Sequence, residues 1–311
     1  MNETTDQRLL VSVIIPTRDR PDDLARCLPT VLASDYPYFE VIVVDQSSSE
    51  ASKRVVEALA DPRLRYYRQQ ANGKSRALNA ALARARGAII AFTDDDCTVP
   101  PDWLRRGLDV LAQEPEAGIV FGAAAAAPHN PRETFVPVFL PPHYRRLQGR
   151  FARVRCHGLA GPNMFIRPTV FERVGGFDDF LGAGSHFPSG DDDDLAYRAL
   201  RAGFAVVLDP TNAIVHWAMR SYTDGSGQRL LRNHYYGSGA FYVKHLRCGD
   251  PLAAYALLRL AWKETVFLAT NLIRQRRASG AGRLLYLLLG LIRGFRHPLD
   301  HKRRLYVPAR A

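Results

Sequence analysis

Several features that would identify common protein classes are missing from the sequence. Only four cysteines occur in 311 residues and no two form a CxxC pair, so neither a disulfide framework nor a zinc site is indicated. Isolated cysteines fit a reducing cytoplasm. Residues 1–8 are polar and lack the apolar segment of a signal peptide. No internal repeat is visible, and no apolar run reaches the about 20 residues that span a bilayer. We therefore expect a cytoplasmic protein.

Composition and charge divide the chain into two parts. Hydrophobic residues make up 47% and charged residues 23%, which is typical of a globular protein and excludes disorder. The net charge is +11, but the first 219 residues hold 25 Lys or Arg against 27 Asp or Glu. From residue 220 onward there are 17 basic and only 4 acidic residues. This basic C-terminal third predicts an anionic partner, either a membrane surface or nucleic acid.

Short apolar runs alternate with amphipathic segments in the first two thirds of the chain. Continuous apolar runs at 11–16, 40–45, 64–67 and 89–92 predict buried strands, and the segments between them predict helices. This alternation indicates right-handed βαβ units and an α/β fold with a mostly parallel sheet flanked by helices. Further strands are predicted at 118–122, 163–167, 206–209 and 213–216. Ligands bind such sheets at the carboxyl ends of the strands.

Three aspartates end the fourth apolar run. A buried unpaired carboxylate is costly, so Asp94, Asp95 and Asp96 are expected at the exposed end of the strand. In an extended chain Asp94 and Asp96 would point to one side and Asp95 to the other. Two converging carboxylates suit Mg²⁺ or Mn²⁺, whereas the alternative is a solvated acidic turn. Asp45 and the loop at 17–20 follow other strands at the same edge, which favours a ligand site there.

A second acidic run, at 191–194, begins a predicted helix that ends near residue 202. One or two acids suffice to stabilise a helix N-terminus, whereas four repel one another, so we expect a functional role. His216 ends the last predicted strand and, taken alone, reads as an ordinary polar residue.

Six motifs in order give the chain a resemblance to a known family. They are Val11-Ser12-Val13-Ile14-Ile15-Pro16-Thr17, Val43-Val44-Asp45, Gly73-Lys74-Ser75-Arg76-Ala77-Leu78-Asn79, Phe92-Thr93-Asp94-Asp95-Asp96, Gly175-Gly176-Phe177-Asp178 and Gly190-Asp191-Asp192-Asp193-Asp194-Leu195. With them the chain resembles a family 2 glycosyltransferase, of the Rossmann-like GT-A fold, over residues 11–216. The resemblance implies an inverting transfer of a sugar from a nucleotide-sugar donor, UDP-linked by expectation, with Mg²⁺ or Mn²⁺ as cofactor.

The resemblance also implies roles for individual residues. The expected donor contacts are Pro16, Thr17, Arg18, Asp45, Lys74, Asp94 and Asp95. The expected metal ligands are Asp96, Asp94 and His216. The expected acceptor contacts are Gly190, Asp191 and Asn163. Asp192 is the implied general base, and Asp191 departs from the family pattern, which has Glu at that position. Crowding by neighbouring acids would raise the pKa of Asp192.

The implied domain organisation is a catalytic domain at 9–220, with a nucleotide-binding half at 9–97 and an acceptor-binding half at 98–220. The basic region at 221–311 is predicted to be helical. Its apolar segments, 252–274 and 284–292, either pack on the catalytic domain or lie peripherally on the inner face of the cell membrane. The acceptor is then a glycan or a lipid-linked sugar.

Three other functions compete with this one. A sugar nucleotidyltransferase usually has a Gly-rich basic loop after its first strand, where this chain has Pro16-Thr17-Arg18-Asp19. Processive polymer synthases that resemble this family carry a Gln-x-x-Arg-Trp motif, and this sequence has none. A nucleic-acid-binding module is less favoured, because the basic C-terminal third is leucine-rich and carries no known nucleic-acid-recognition motif.

Overall fold

The computed structural model describes residues 9–159, 161–275 and 280–309. The strands are β1 (Val11–Thr17), β2 (Phe39–Asp45), β3 (Leu64–Arg68), β4 (Ile89–Phe92), β5 (Cys97–Thr98), β6 (Ala117–Ala126), β7 (Thr134–Phe135), β8 (Arg145–Leu147), β9 (Met164–Ile166), β10 (Ala205–His216), β11 (Arg220–Ser221), β12 (Leu299–Asp300) and β13 (Leu305–Tyr306). The helices are α1 (Pro21–Leu32), α2 (Ala51–Leu59), α3 (Lys74–Leu82), α4 (Trp103–Gln113), α5 (Pro168–Val174), α6 (Asp191–Arg201), α7 (Ser226–Arg247), α8 (Pro251–Gln275) and α9 (Ala281–Arg296), and Arg150–Arg155 form a 3-10 helix.

The central sheet has the strand order β3-β2-β1-β4-β9-β6-β10-β5, with β8 also paired to β10. Strands β3, β2, β1 and β4 run parallel, as do β6 and β10. Side chains on both faces of β1 and β2 are almost entirely buried, because helices cover each face and form two hydrophobic clusters with the sheet. The predicted α/β architecture, a mostly parallel sheet flanked by helices, is confirmed.

The second half of the sheet differs from the prediction in two respects. Strand β9 lies antiparallel between β4 and β6, whereas uniform βαβ units would have kept it parallel. The runs at 206–209 and 213–216 belong to one strand, β10, whose register shifts between Asp209 and Ala213. Asp209 accepts hydrogen bonds from the backbone N–H and hydroxyl of Thr211, which holds the extra residues in a local turn.

Helix α7 is buried on all sides between Gly237 and His245, whereas α8 and α9 pack on the rest of the protein through one face. Tyr235, Phe241 and Leu287 join the same core cluster as the sheet, and Lys244 on α7 is fully buried with its ammonium 2.7 Å from Asp178 and 2.6 Å from Asp194. The opposite faces of α8 and α9 expose large apolar side chains. Among the described residues, no helix is long and apolar enough to cross a membrane, and all four cysteines are free.

Candidate active site

Pairing between β5 and β10 brings His216 to the aspartate run. The two strands are antiparallel, and their register sets His216 opposite Cys97. The Trp217 N–H also donates to the Asp96 carbonyl at 2.8 Å. As a result His216 Nε2 lies 3.3 Å from Asp96 Oδ1, although 120 residues separate them in sequence.

The three aspartates do not form an extended segment. Strand β4 ends at Phe92, and residues 94–97 form a turn in which the Cys97 N–H donates to the Asp94 carbonyl at 3.2 Å, so the prediction that Asp94 and Asp96 share a side through extended geometry is wrong. Each carboxylate has its own partner instead. Asp94 pairs with Lys74 Nζ at 2.7 Å, Asp95 accepts from Thr17 Oγ1 at 2.8 Å, and Asp96 faces His216.

Asp96, Cys97 and His216 have ligand atoms close enough together to share one metal ion. His216 Nδ1 lies 2.8 Å from the Pro137 carbonyl. A carbonyl only accepts, so Nδ1 carries a proton and the Nε2 lone pair is left for a cation. An imidazole nitrogen with a carboxylate oxygen suits Mn²⁺ or Mg²⁺ completed by substrate oxygens. The residues present therefore fit a divalent ion, and Asp94 stands outside this cluster.

Burial and mutual charge shift the pKa values of these groups. Burial raises the pKa of Asp96, but the hydrogen bond and charge of His216 and the charge of Arg20 outweigh it and lower this pKa to about 2. Burial lowers the pKa of His216, and its interactions with Asp96 outweigh that and raise it. Burial, followed by the charge of Asp96, raises the pKa of Asp95 to about 7. Asp96 is thus ionised in the folded protein.

Two polar cavities run along the carboxyl edge of β3, β2, β1 and β4. The first, of about 390 Å³, is lined by Pro16, Thr17, Arg18, Arg20, Gln46, Gly73, Lys74, Asp94, Asp95, Asp96, Pro137, Ala183, Gly184, His216, Arg220 and Leu230. The second, of about 620 Å³, is lined by Arg18, Asp19, Gln46, Ser47, Ser48, Arg68, Gln69, Gln70 and Asn72. Arg18 and Gln46 border both cavities, so the two are adjacent.

Two predicted contact residues are enclosed in the protein. Asp45 is fully buried, with its carboxylate bonded to the Ser47 N–H and the Tyr66 hydroxyl, each at 2.7 Å. It therefore positions these neighbours and does not face either cavity. Asn163 is also fully buried, and its side chain bonds to Trp103 and to the carbonyls of Ala123 and Asn212. Every polar atom of Asn163 is occupied, so it supports the fold and offers nothing to an acceptor.

Helix α6 presents Asp191 and Asp192 near Lys74. Gly190 precedes the helix in a left-handed conformation, with φ of 90°. Asp192 Oδ2 accepts from the Gly161 N–H at 2.8 Å, whereas Asp192 Oδ1 and Asp191 Oδ2 are buried without a described partner. A Cβ on Gly161 would lie 2.3 Å from Asp192 Oδ1, so the approach of this loop requires glycine.

The pKa of Asp192 is strongly perturbed. Burial, followed by the charge of Asp191, raises it well above its ordinary value against the opposing charge of Lys74. The predicted direction is therefore confirmed, with burial as the larger cause. A carboxylate with a raised pKa and one oxygen without a hydrogen-bond partner is typical of a general base.

The other two acids of the run have structural partners. Asp193 accepts from the N–H groups of Gly158 and Leu159. Asp194 is fully buried and bonds to Arg198, Lys244 and His245. The four carboxylates thus point to different partners, which limits the repulsion expected of the run.

Several residues of the site were not assigned a role from the sequence, although Arg20 lies in the loop at 17–20 that was expected at the site. Arg20 donates to Asp95 and Asp96 at 3.3 and 2.8 Å, and its position just after β1 could have suggested it. Gln46 directly follows Asp45, and Arg220 closely follows His216. Leu230 comes from α7, and nothing in the local sequence points to it.

The fold is that of the GT-A glycosyltransferases. A mannosyltransferase, PcManGT from Pyrobaculum calidifontis, solved with GDP-Man and Mn²⁺, matches 94% of this chain and 88% of its own chain, with a TM-score of 0.62 and 22% identity. Residues 1–349 of TarS from S. aureus match 92% of this chain and 81% of that chain, with a TM-score of 0.60 and 16% identity. At such identities the likeness shows the fold.

The chain belongs to glycosyl transferase family 2, whose family model matches residues 12–175. Glycosyltransferase AglE of Haloferax volcanii is 27% identical over 211 residues, covering 64% of each protein. An N-acetylglucosaminyltransferase of Mesorhizobium japonicum is 31% identical over 216 residues, covering 64% of this chain and 49% of the relative. The chain therefore spans less than two thirds of the length of these relatives, and it is a glycosyltransferase by family.

Proposed function

We propose that the protein transfers a sugar, with inversion, from a nucleoside-diphosphate sugar to a hydroxyl of a glycan or lipid-linked acceptor. The observation that carries the proposal is the pair of cavities that meet at Arg18 and Gln46. The larger cavity is lined mostly by Ser, Gln and Asn, with Arg18, Asp19 and Arg68, and these side chains can hydrogen-bond a nucleobase and ribose. The other contains Lys74 and the pair Asp96–His216, which suits a diphosphate held with a divalent cation.

The donor would lie across both cavities. The base occupies the larger one, where Ser47 is fixed by Asp45, while Pro16, Thr17 and Arg18 border the ribose and diphosphate. Lys74 and Arg18 supply positive charge beside the diphosphate, and Asp94 and Asp95 hold Lys74 and Thr17 in place. A UDP-sugar is the expected donor. TarS has been solved with UDP-GlcNAc and PcManGT with GDP-Man, so both nucleotide classes belong in a test.

Asp96 and His216 would hold Mg²⁺ or Mn²⁺, while the neighbouring Asp94 forms an ion pair with Lys74. When bound, this cation would neutralise charge that develops on the departing diphosphate. Asp192, on the other side, would accept the proton of the attacking hydroxyl through Oδ1. Asp191 and Gly190 would border the acceptor. A base and a leaving group on opposite sides of the anomeric carbon imply direct displacement and hence inversion.

The exposed faces of α8 and α9 support an acceptor at a membrane surface. Tyr255, Leu258, Trp262, Val266 and Ile273 are exposed and fall within about 80° on a helical wheel. This stripe lies opposite the packed residues of α8, and Leu285, Leu288, Leu289, Ile292 and Phe295 form a second exposed set on α9. Arg259, Lys263, Arg274, Arg293 and Arg296 accompany them. Apolar stripes with basic neighbours favour an anionic bilayer as the occupant.

A thermal-shift screen of nucleotide sugars with Mn²⁺ tests the donor site. A ligand at 100 times its Kd stabilises the folded state by about 2.7 kcal/mol, which corresponds to a rise in melting temperature of about 4 °C in a chain of this size. We expect this shift with one UDP-sugar, its loss in Asp96→Ala, and its retention in Asp109→Ala, which removes an exposed acid from α4. A shift retained in Asp96→Ala would reject the metal site, and pyrophosphate release during turnover would indicate a nucleotidyltransferase.

Vesicle sedimentation tests the membrane surface separately. The double variant Leu258→Ser/Trp262→Ser removes two side chains that are 68% and 70% exposed, so folding should be little affected. Each contributes about 1.5–3 kcal/mol when fully buried, so binding to phosphatidylglycerol vesicles should fall at least tenfold. Leu140→Ser, at a 57% exposed leucine outside these helices, is the control. Equal binding by both variants would refute the membrane proposal.

A further inference from the structure

A basic cleft lies apart from the donor site. It has a volume of about 790 Å³ and is bordered by α5, the C-terminal end of α6 and the β12–β13 hairpin. Asp192 begins the same helix nine residues before Arg201, so about 14 Å of helix separates the proposed base from the cleft. The sequence showed only a basic C-terminal third and gave no sign that part of it forms a cavity.

The charges that line the cleft are mostly uncompensated. Arg173, Lys302 and Arg303 make no ion pair with any residue in the part of the chain that the structure describes. Arg201 has only a long contact, 3.7 Å, with Asp250. Two acids, Glu172 and Asp300, line the cleft against six arginines and lysines, and Asp300 accepts from the N–H groups of Lys302 and Arg303. Positive charge therefore dominates the cavity.

Arg198 also borders the cleft, but it is already satisfied. Its guanidinium bonds to Asp194 and to the carbonyls of Val174 and Gly176. It forms part of the wall, and these bonds engage all three of its guanidinium nitrogens. The free cations are therefore the exposed ones on the rim, which come from three different elements.

Arg304 is held in an unfavourable arrangement at the same place. Its φ of +59° is left-handed, which costs a side chain other than glycine about 1 kcal/mol or more. Its Nη2 donates to the Cys248 carbonyl, whereas its Nη1 is buried without a partner among the described residues. Burial, followed by the charge of Arg201, lowers the pKa of Arg304. The unpaired Nη1 donor and the neighbouring positive charge of Arg201 favour the binding of a negative group beside Arg304.

We propose that this cleft is a second binding site, specific for phosphate or diphosphate groups, and separate from the donor site. Arg173, Arg201 and Arg303 are positioned around the cavity to donate to phosphate oxygens, since guanidinium groups match that geometry in pairs. An anion there compensates the charge beside Arg304 and ties α5 and α6 to the C-terminal hairpin. The phosphate can belong to a soluble molecule or to a lipid headgroup.

Isothermal titration calorimetry of the full chain with inorganic pyrophosphate tests the site. EDTA is added because it removes divalent cations and so prevents metal-dependent binding at the donor cavity. The variant is Arg173→Ala/Arg303→Ala, and the control is Arg54→Ala/Arg132→Ala, which removes two exposed arginines outside the cleft. Loss of two charge-assisted contacts should weaken binding at least about tenfold in the first variant only. Equal affinity in both variants, or no binding by the wild type at 10 mM as a rough upper concentration, would overturn the proposal.

Sedimentation with phosphatidic acid vesicles, against phosphatidylcholine alone, distinguishes the two sources. If the cleft variant loses both pyrophosphate and phosphatidic acid binding relative to the control, the phosphate is that of a lipid headgroup. If it loses only pyrophosphate binding, the ligand is a soluble phosphate compound. If the cleft variant retains the binding of both pyrophosphate and phosphatidic acid, the proposal of a phosphate site in this cleft is wrong. Because the apolar stripes of α8 and α9 are intact in this variant, their contribution to vesicle binding is the same in all samples.

Discussion

Replacing the proposed base by its amide, Asp192→Asn, should remove proton transfer while preserving the local structure. Asn has a carbonyl oxygen that can still accept from the Gly161 N–H, which now lies 2.8 Å from Oδ2. The unpartnered Oδ1 becomes an amide nitrogen, which cannot take a proton. A positioned general base contributes about 10²–10⁴-fold, so transfer should slow by that factor, or about 3–5 kcal/mol in the barrier. Donor affinity should not change, because Asp192 lines neither donor cavity.

The same variant should be more stable than the wild type at neutral pH. The pKa of Asp192 is raised in the folded state, so the protonated form contributes stability below the unfolded pKa, about 4. This contribution is lost as pH rises through the folded pKa. Asn avoids that loss. The melting temperature of Asp192→Asn should therefore exceed that of the wild type near pH 8, with the difference shrinking toward pH 4.

Asp224→Asn provides a control of opposite sign. Hydrogen bonds with Ser226 lower the pKa of Asp224, so its charged form stabilises the protein at neutral pH, and its amide should slightly lower the melting temperature there without affecting transfer. The assays are initial rates of nucleoside diphosphate release and melting curves from pH 4.5 to 8.5, a range chosen around the reference pKa values of carboxyl groups. Transfer by Asp192→Asn within tenfold of wild type would refute the assignment of the base.

Three further predictions concern the metal, the loop over the base and the buried ion pairs. His216→Ala should weaken Mn²⁺ binding by more than tenfold in electron paramagnetic resonance titrations, because it removes one of the proposed protein ligands; affinity equal to that of His129→Ala would contradict this. Gly161→Ala should abolish transfer and lower the melting temperature, since its Cβ would lie 2.3 Å from Asp192 Oδ1; normal kinetics would show that the loop is free to move. Lys244→Met should cost about 3–5 kcal/mol of unfolding free energy by urea denaturation, because Asp178 and Asp194 lose a fully buried counter-charge. Adding Asp178→Asn should recover part of that loss, and additive effects would argue against direct coupling.

The strands of the first half of the sheet were predictable because burial on both faces demands continuous apolar runs. Strand β9 was found as an apolar segment, but its antiparallel direction was not predicted, since three residues carry no directional signal. The start of α6 was visible from its acids and its end from Gly203. Propensity and pattern therefore defined the elements, while the order of strands in the second half depended on tertiary packing.

The site was predictable at the level of strand ends and not at the level of side-chain direction. Asp96 and His216 were expected together by family resemblance, and the structure places them 3.3 Å apart. An extended chain would place Asp94 beside Asp96, whereas residues 94–97 form a turn. Asp45 and Asn163 lie beside the site, but their side chains form hydrogen bonds with buried groups of the protein. Whether a polar residue faces a ligand or the interior depends on its burial and cannot be read from the residue type.

Asp178 connects parts of the chain that are made at very different times. Its carboxylate accepts from Lys244 Nζ at 2.7 Å and from the Tyr306 N–H at 2.9 Å, which lie 66 and 128 residues later in the chain. During synthesis this aspartate remains without these partners until the last helices and hairpin have left the ribosome. Closing such long loops is slow, so the helix that carries Asp192 should acquire its final rigidity late. A nascent chain stalled before Tyr306 should then fold its sheet before the helix that carries Asp192 is fully packed.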